Sequence, residues 1–500
     1  MRRLSVSVLV LGAMAGGAFA DVTAEDIWRD WQATLAGFGF EVTGIPQRSA
    51  GGIVIADLGL TQDIPEDGGR IEMRLGRIEL AERGDGSVTV IYPETMPMAL
   101  AVSPEEGEPV TVILTLAQTG LEIIASGTPE ALRYAYSADE LRLALGEVTI
   151  GGEPQETLEG VIRLTGVAGE SVTQPEGTGR QMVQNLTSGP VSYALRFEMP
   201  EEDNSFDYAG AAEWMTYDTR MHLPDDIDMA RMGDALNAGL EMEGRMRFGA
   251  GEGRYVVTEA GETTRVASGN ARSSLHFALS AEGVSYGGEA EDSRTEAHLP
   301  ILPMPLAYEV ARMAGRFTMP LAPSEAMQDF GVALEMNAIR LSETIWALLD
   351  PAANLPRDPM DLVLDLSGKG RLTVDLFDPA MIEMLEETGR EPGVIERIDL
   401  NRLLVSALGA RLTGAGSVEM DAPSGTGLPA VEGAVDLRLE GGNALLDRLI
   451  GMGIVPEEQA MMVRMMAGLF ARAVEGEDTL TSRVEVAKDG ALTVNGQRLR

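Results

Sequence analysis

The 500-residue chain carries 78 Asp and Glu against 39 Lys and Arg, a formal charge of −39, with 44 % hydrophobic residues and no cysteine. Such a surface repels nucleic-acid phosphate and anionic lipid headgroups, which excludes a DNA- or RNA-binding role, and the hydrophobic fraction argues against disorder. Without cysteine the fold depends on its core and not on disulfides, and a cysteine nucleophile is impossible.

The first twenty residues are a charged start at Arg2 and Arg3, an apolar run from Leu4 to Ala15, and small residues ending Ala18-Phe19-Ala20. This pattern predicts a cleaved signal peptide over residues 1–20, with export through the general secretory route to the periplasm and a mature start at Asp21. Loss of Arg2 and Arg3 takes the charge to −41. No later stretch is apolar for the 18 residues a spanning helix needs, so no transmembrane segment is expected after cleavage. The mature length exceeds the roughly 250–300 residues at which one core stops growing, so subdomains or one elongated sheet are expected.

Thr23 three residues before Asp26 resembles a capping box. Ile27, Trp28, Trp31 and Leu35 then follow at helical spacing, a short amphipathic helix ending near Gly37-Phe38-Gly39. From Phe40 to Met199 the chain alternates apolar and polar residues, as in Ile53/Ile55, Ile71/Met73/Leu75, Val88/Val90/Tyr92, Val110/Val112/Leu114/Leu116 and Leu141/Leu143/Leu145. Alternation with one polar face predicts antiparallel strands open to water on one side. Gly84-Asp85-Gly86 and Asp489-Gly490 read as primed hairpin turns. Met229, Met232, Leu236 and Leu240 predict a helix over 228–240, and Gly-punctuated strands follow from Glu243 to Tyr286.

Pro300, Pro303, Pro305, Pro320 and Pro323 mark an extended connection. The expected division is an N-terminal β-rich region over 21–325 and a C-terminal α+β region over 326–500. Within the second, strands near Phe330–Leu341, Asp361–Leu366, Arg371–Leu376, Leu400–Leu408, Ala410–Met420 and Ala434–Leu439 precede a helical hairpin around 443–474 and two closing strands. The fold class is therefore α+β, mainly long antiparallel sheets partly covered by a few amphipathic helices.

Catalytic and cofactor motifs are missing. His222, His276 and His298 lie far apart, and no H-E-x-x-H, G-x-S-x-G or phosphate loop occurs, so no metal, cofactor or catalytic residue is assigned. Gly368-Lys369-Gly370 reads as a strand turn and Gly249-Ala250-Gly251-Glu252-Gly253 as a hairpin turn. Asp225, Asp226 and Asp228 lack the glycine and distal glutamate of a calcium loop and read as caps of the helix that follows.

Two constellations are distinctive. In the first, Ser342 caps a helix that buries Ile345, Trp346 and Leu349; Pro351 stops it, and Pro356 and Pro359 stiffen a loop presenting Arg357 and Asp358. This is either a recognition loop or, the favoured reading, a structural corner fixed by Trp346 and an Arg–Asp contact. In the second, Met461, Met462, Met465, Met466, Leu469 and Phe470 share one helical face. Flexible methionines suit an adaptable groove for a lipid or a partner helix, but ordinary core over a sheet is the favoured reading.

The segments Trp346-Ala347-Leu348-Leu349-Asp350-Pro351, Leu355-Pro356-Arg357-Asp358-Pro359, Gly441-Gly442-Asn443-Ala444-Leu445-Leu446-Asp447 and Leu492-Thr493-Val494-Asn495-Gly496 resemble a family of exported Gram-negative proteins, domain of unknown function 2125. The resemblance runs over most of the mature chain, including Asp26-Ile27-Trp28. It implies an envelope compartment and a β-rich architecture but no catalytic residues. The function expected is that of a non-enzymatic envelope protein binding an apolar ligand or a protein partner. The alternatives are a hydrolase with a dispersed carboxylate site and a purely structural protein.

Overall fold

The computed structural model describes residues 21–49, 51–63, 69–104, 107–155, 158–199, 203–225, 232–377, 379–421 and 430–499. The predicted signal peptide over residues 1–20 and the residues Asp226, Asp228 and Met229 fall outside them.

Strands of the described residues form one antiparallel sheet. Its plan is a meander in which each crossing pairs with the next along the chain. Many crossings are interrupted near the middle. Gly179–Ser188 and Val191–Met199, for example, both run antiparallel to Leu158–Glu176. They are bridged where Thr165 exchanges backbone hydrogen bonds with Gly189 and Pro190. The next crossing is Asn204–Ala212 with Met215–Pro224, then Glu241–Phe248 with Gly251–Glu259, then Glu262–Asn270 with Arg272–Ser280. Glu213 and Trp214 pair with Ala250 and Gly249 across neighbouring interruptions, so the breaks line up as a crease running across the strands.

The crease reconciles the sequence pattern with the sheet. In a flat strand, alternate residues share a face, and one extra residue would turn every later side chain to the other side. In Gly283–His298 the apolar and small residues Val284, Tyr286, Gly288 and Ala290 are followed, one step out of phase, by Ser293, Thr295 and Ala297. Asp292 between them adopts a left-handed conformation, φ 51°, and absorbs the extra residue. Ala338, φ 52°, does the same between Met336 and Ile339 in Gln328–Leu341, and Asp361 accepts its N–H at 2.9 Å. The apolar side chains therefore stay on one face through each kink.

That face is a trough. A 580 Å³ hollow along the crease is lined from one side by Phe248, Leu275 and Met313 and from the other by Tyr193, Tyr208 and Gly253. The opposite face carries paired charges, such as Arg312 with Glu289 and Glu335, Arg247 with Asp218, and Arg483 with Asp436. Each such exposed pair stabilises little, but together they keep that face wetted.

Helix α1 (Ala24–Gly37) begins with the expected capping box: the Thr23 hydroxyl accepts the Asp26 N–H at 3.2 Å and the Asp26 carboxylate accepts the Thr23 N–H at 3.1 Å. It lies in the trough at the N-terminal end. Ile27 and Trp28 are buried there with Ile53, Ile55, Leu58, Leu80, Val88 and Val90 in the main core. Burying a side chain the size of Ile27 is worth about 1.5–3 kcal/mol. A second small core joins Leu236 and Leu240, at helix α2 (Met232–Asn237), to Leu223, Met221 and Phe38. Helices α3 (Glu343–Leu349), α4 (Pro379–Thr388), α5 (Gly442–Gly451) and α6 (Glu457–Phe470) occupy later connections.

Several local expectations need correction. Gly249–Gly253 is not a chain reversal but the kink of one crossing; the reversal comes at Ala260-Gly261. Gly368-Lys369-Gly370 lies inside the single strand Met360–Leu372, where a bulge between Lys369 and Gly370 takes up the irregularity. The turns at Gly86 and Gly490 are not primed. Only the glycine has positive φ, and the Gly86 and Gly490 N–H groups bond back to Arg83 and Ala487, as in a three-residue loop closed by a left-handed glycine. The proline-rich stretch from Pro300 leaves the sheet continuous, since Gly283–His298 pairs with Leu306–Met319.

Candidate functional site

The most distinctive surface is an apolar row running across the strands on the trough face. Its positions face one another in register: Phe277 opposite Tyr286, Tyr286 opposite Phe317, Phe317 opposite Val332, Val332 opposite Leu366, and Leu366 opposite Leu400. It continues through Gly416 and Val435 to Val484 and Val494. At the usual strand spacing of 4.7–4.9 Å this row is roughly 40 Å long. Tyr286 is 52 % exposed, and Phe317 and Val332 are each 45 % exposed. Side chains of this size facing their own kind are normally covered, and contiguous exposed apolar surface marks a binding site.

Glycines shape the floor. A Cβ on Gly368 would sit 2.3 Å from the Phe330 ring and 2.5 Å from the Arg397 carbonyl oxygen, and one on Gly288 would sit 2.9 Å from Leu275. The aromatic and aliphatic side chains therefore lie across the glycines. A hollow of 570 Å³ opens beside them, lined by Phe317, Met319, Phe330, Val332, Leu366 and Ile395.

Among the described residues the trough is covered at its N-terminal end and exposed farther along, at Tyr286, Phe317 and Val332. Trp31 donates its indole N–H to the Tyr134 hydroxyl at 3.1 Å, and Arg180 donates to Asp30 at 2.9 Å and to Thr34 at 3.3 Å. These bonds fix α1 over the strands from Gly52–Ile55 to Gly179–Ser188. Burial pushes the Tyr134 hydroxyl well above its ordinary pKa. Farther along, the Tyr193 and Tyr208 hydroxyls are 3.0 Å apart; burial, then the Tyr208 hydroxyl, pushes Tyr193 up to about 12. Tyr193 therefore stays protonated at neutral pH, a neutral hydroxyl in the hollow.

A hollow of 700 Å³ lies on the other face and is lined by Arg245, Arg312, Glu289 and Glu335 among others. Arg312 reaches Glu335 at 2.7 Å and Glu289 at 3.2 Å. Arg312 and the two glutamates satisfy one another, and the apolar trough is the better ligand site although the hollows described along it are smaller. Among the described residues, no group of three or more His, Asp or Glu could hold a metal ion, and no helix is long and apolar enough to cross a membrane.

The residues singled out from sequence fall elsewhere. On α3 only Trp346 is buried; Ile345 is half-buried and Leu349 is 53 % exposed, because a two-turn helix at the sheet rim meets protein on one side only. Ser342 caps it as expected, its hydroxyl accepting the Ile345 N–H at 3.4 Å. The corner is fixed differently from the expected Arg–Asp contact. Arg357 pairs with Glu343 and lies 5.4 Å from the Trp346 ring centroid, while Asp358 is exposed. Asp350 anchors the loop instead, accepting the Leu355 N–H at 2.7 Å and the Asn354 N–H at 3.0 Å.

The methionine face is not core. Met461 is 72 % and Met465 60 % exposed, Met462, Met466 and Leu469 are exposed too, and Phe470 is half-buried. The hairpin holds the sheet through the helix end: Ser482 and Asn495 donate to the Phe470 carbonyl oxygen at 2.6 and 3.0 Å. The residues of the apolar row went unselected in the sequence. Their signal was present as alternation with glycines on the apolar phase, at 288, 315, 368, 414 and 416.

No curated protein matches the chain. A family model described as "Uncharacterized protein conserved in bacteria (DUF2125)" matches residues 252–499, which hold most of the exposed row but not the α1 helix. Over these residues the chain is similar to that family.

Proposed function

We propose that this is an exported, non-enzymatic envelope protein whose creased sheet binds an extended apolar chain, the acyl chain of a lipid being the ligand class. The observation that carries this reading is the row from Phe277 through Tyr286, Phe317, Val332 and Leu366 to Leu400, with its centre exposed to solvent. Long and narrow, it suits a linear chain laid across the strands better than a compact cofactor. Its wall offers tyrosine hydroxyls and glycine backbone. An acyl chain displaces water from these side chains, at roughly 25 cal/mol per Å² of apolar surface covered.

A fluorescent long-chain fatty acid titrated into the purified protein tests the reading. Val332→Glu puts a carboxylate into the row at a position exposed enough to keep the fold. It should weaken binding at least tenfold, whereas Asp329→Ala on the opposite face should leave it unchanged. Equal affinity in the parent and Val332→Glu would contradict the proposal.

A further inference from the structure

The connections along one rim of the sheet expose apolar side chains. Ile301 lies in the turn between Gly283–His298 and Leu306–Met319, Leu348 and Leu349 lie on α3, and Ile454, Met461 and Met465 lie on the α5–α6 hairpin. All three connections leave strand ends at the same edge. Two of them adjoin: at Gly409, φ 81°, a Cβ would stand 3.0 Å from both Pro356, behind α3, and Arg448 of α5. The hairpin is joined through Phe470 to the strand Thr479–Val486, where the apolar row reaches Val484. The rim thus adjoins the strand that carries the far end of the row.

Charge selects the partner. Arg357 is paired with Glu343 and Arg464 with Asp447, and the first turn of α6 carries Glu457 and Glu458. These two arginines are neutralised within the rim, and the net charge of −39 opposes an anionic surface. The exposed side chains stand on three different connections. Methionines adapt to a fluid boundary. Resting on the reading of the trough as an acyl-chain site, we propose that the α5–α6 hairpin, with α3 beside it, is a foot that inserts into the interface of an electrically neutral phospholipid bilayer. A chain passing between bilayer and trough would then stay out of water.

Flotation of the full chain with phosphatidylcholine vesicles tests this. The parent should float with the vesicles, and less so as anionic phosphatidylglycerol is added. Met461→Glu/Met465→Glu/Leu469→Glu should cut the vesicle-bound fraction at least tenfold while keeping its thermal melt and its affinity for the soluble fluorescent fatty acid. Val332→Glu should do the reverse, floating normally but failing to take the fatty acid. If the parent floats without binding fatty acid, the trough reading fails and the foot stands. A parent that does not float, a triple variant that floats as well as the parent, or stronger flotation on anionic vesicles would overturn the foot. So would sedimentation showing a parent dimer that the triple variant dissociates, since that assigns the hairpin to a second copy.

Discussion

Arg180 donates to Asp30 at 2.9 Å, tying the strand Gly179–Ser188 to the helix that fills the covered end of the trough. Burial pushes the Asp30 carboxyl up, and Arg180 only partly offsets it. With its folded pKa above the ordinary 3.8, this group stabilises the fold fully below that value and loses its contribution as pH rises through the raised one.

Asp30→Asn removes that dependence. The stability of the variant relative to the parent should therefore shift in the variant's favour between about pH 3 and pH 7, read by calorimetry. A constant difference would mean that Arg180 fully offsets burial, and one moving the other way that Arg180 outweighs it.

Asp350 behaves in the opposite sense. Burial raises its carboxyl, but the N–H groups of Asn354 and Leu355 outweigh that and hold the pKa below 3.8. Its contribution is present above 3.8 and is lost as pH falls through the depressed value. Asp350→Asn should lower the melting temperature at pH 7, with the gap to the parent closing towards pH 2. A gap that widens on acidification would refute the assignment.

Gly368 lies under the Phe330 ring. Gly368→Ala should destabilise by about 1–3 kcal/mol, because the new Cβ meets both the ring and the Arg397 carbonyl oxygen. Gly84→Ala, where a Cβ has open space and φ is likewise not left-handed, isolates the effect of losing a glycine. Equal losses in the two variants, measured by denaturant unfolding, would show that packing over Gly368 is not what matters.

Local chemistry was legible in the chain. Thr23 and Asp26 start α1, Ser342 starts α3, and the strands around Leu114, Leu143 and Val435 lie where period-two alternation puts them. What the chain hides is non-local. Gly249 looks like a reversal because glycine serves kinks as well as turns, and only pairing with Trp214 on the neighbouring crossing distinguishes them. The phase slip at Asp292 breaks alternation in sequence while preserving it in space. Helix α4 had no distinctive pattern of its own. The Met461–Leu469 face reads as core because helical spacing reports amphipathicity and not what covers the apolar side. The candidate site was missed for a related reason: each strand contributes one or two row residues, and their alignment appears only once the register is known.

Photocrosslinking with a long-chain fatty acid carrying a diazirine near its methyl end, followed by peptide mapping, tests the central claim most directly. The account predicts label on Tyr286, Phe317, Val332 and Leu366, competed away by unlabelled fatty acid and lost in Val332→Glu. Label on the opposite face, at Arg312 or Glu335, or label that unlabelled fatty acid does not displace, would contradict it.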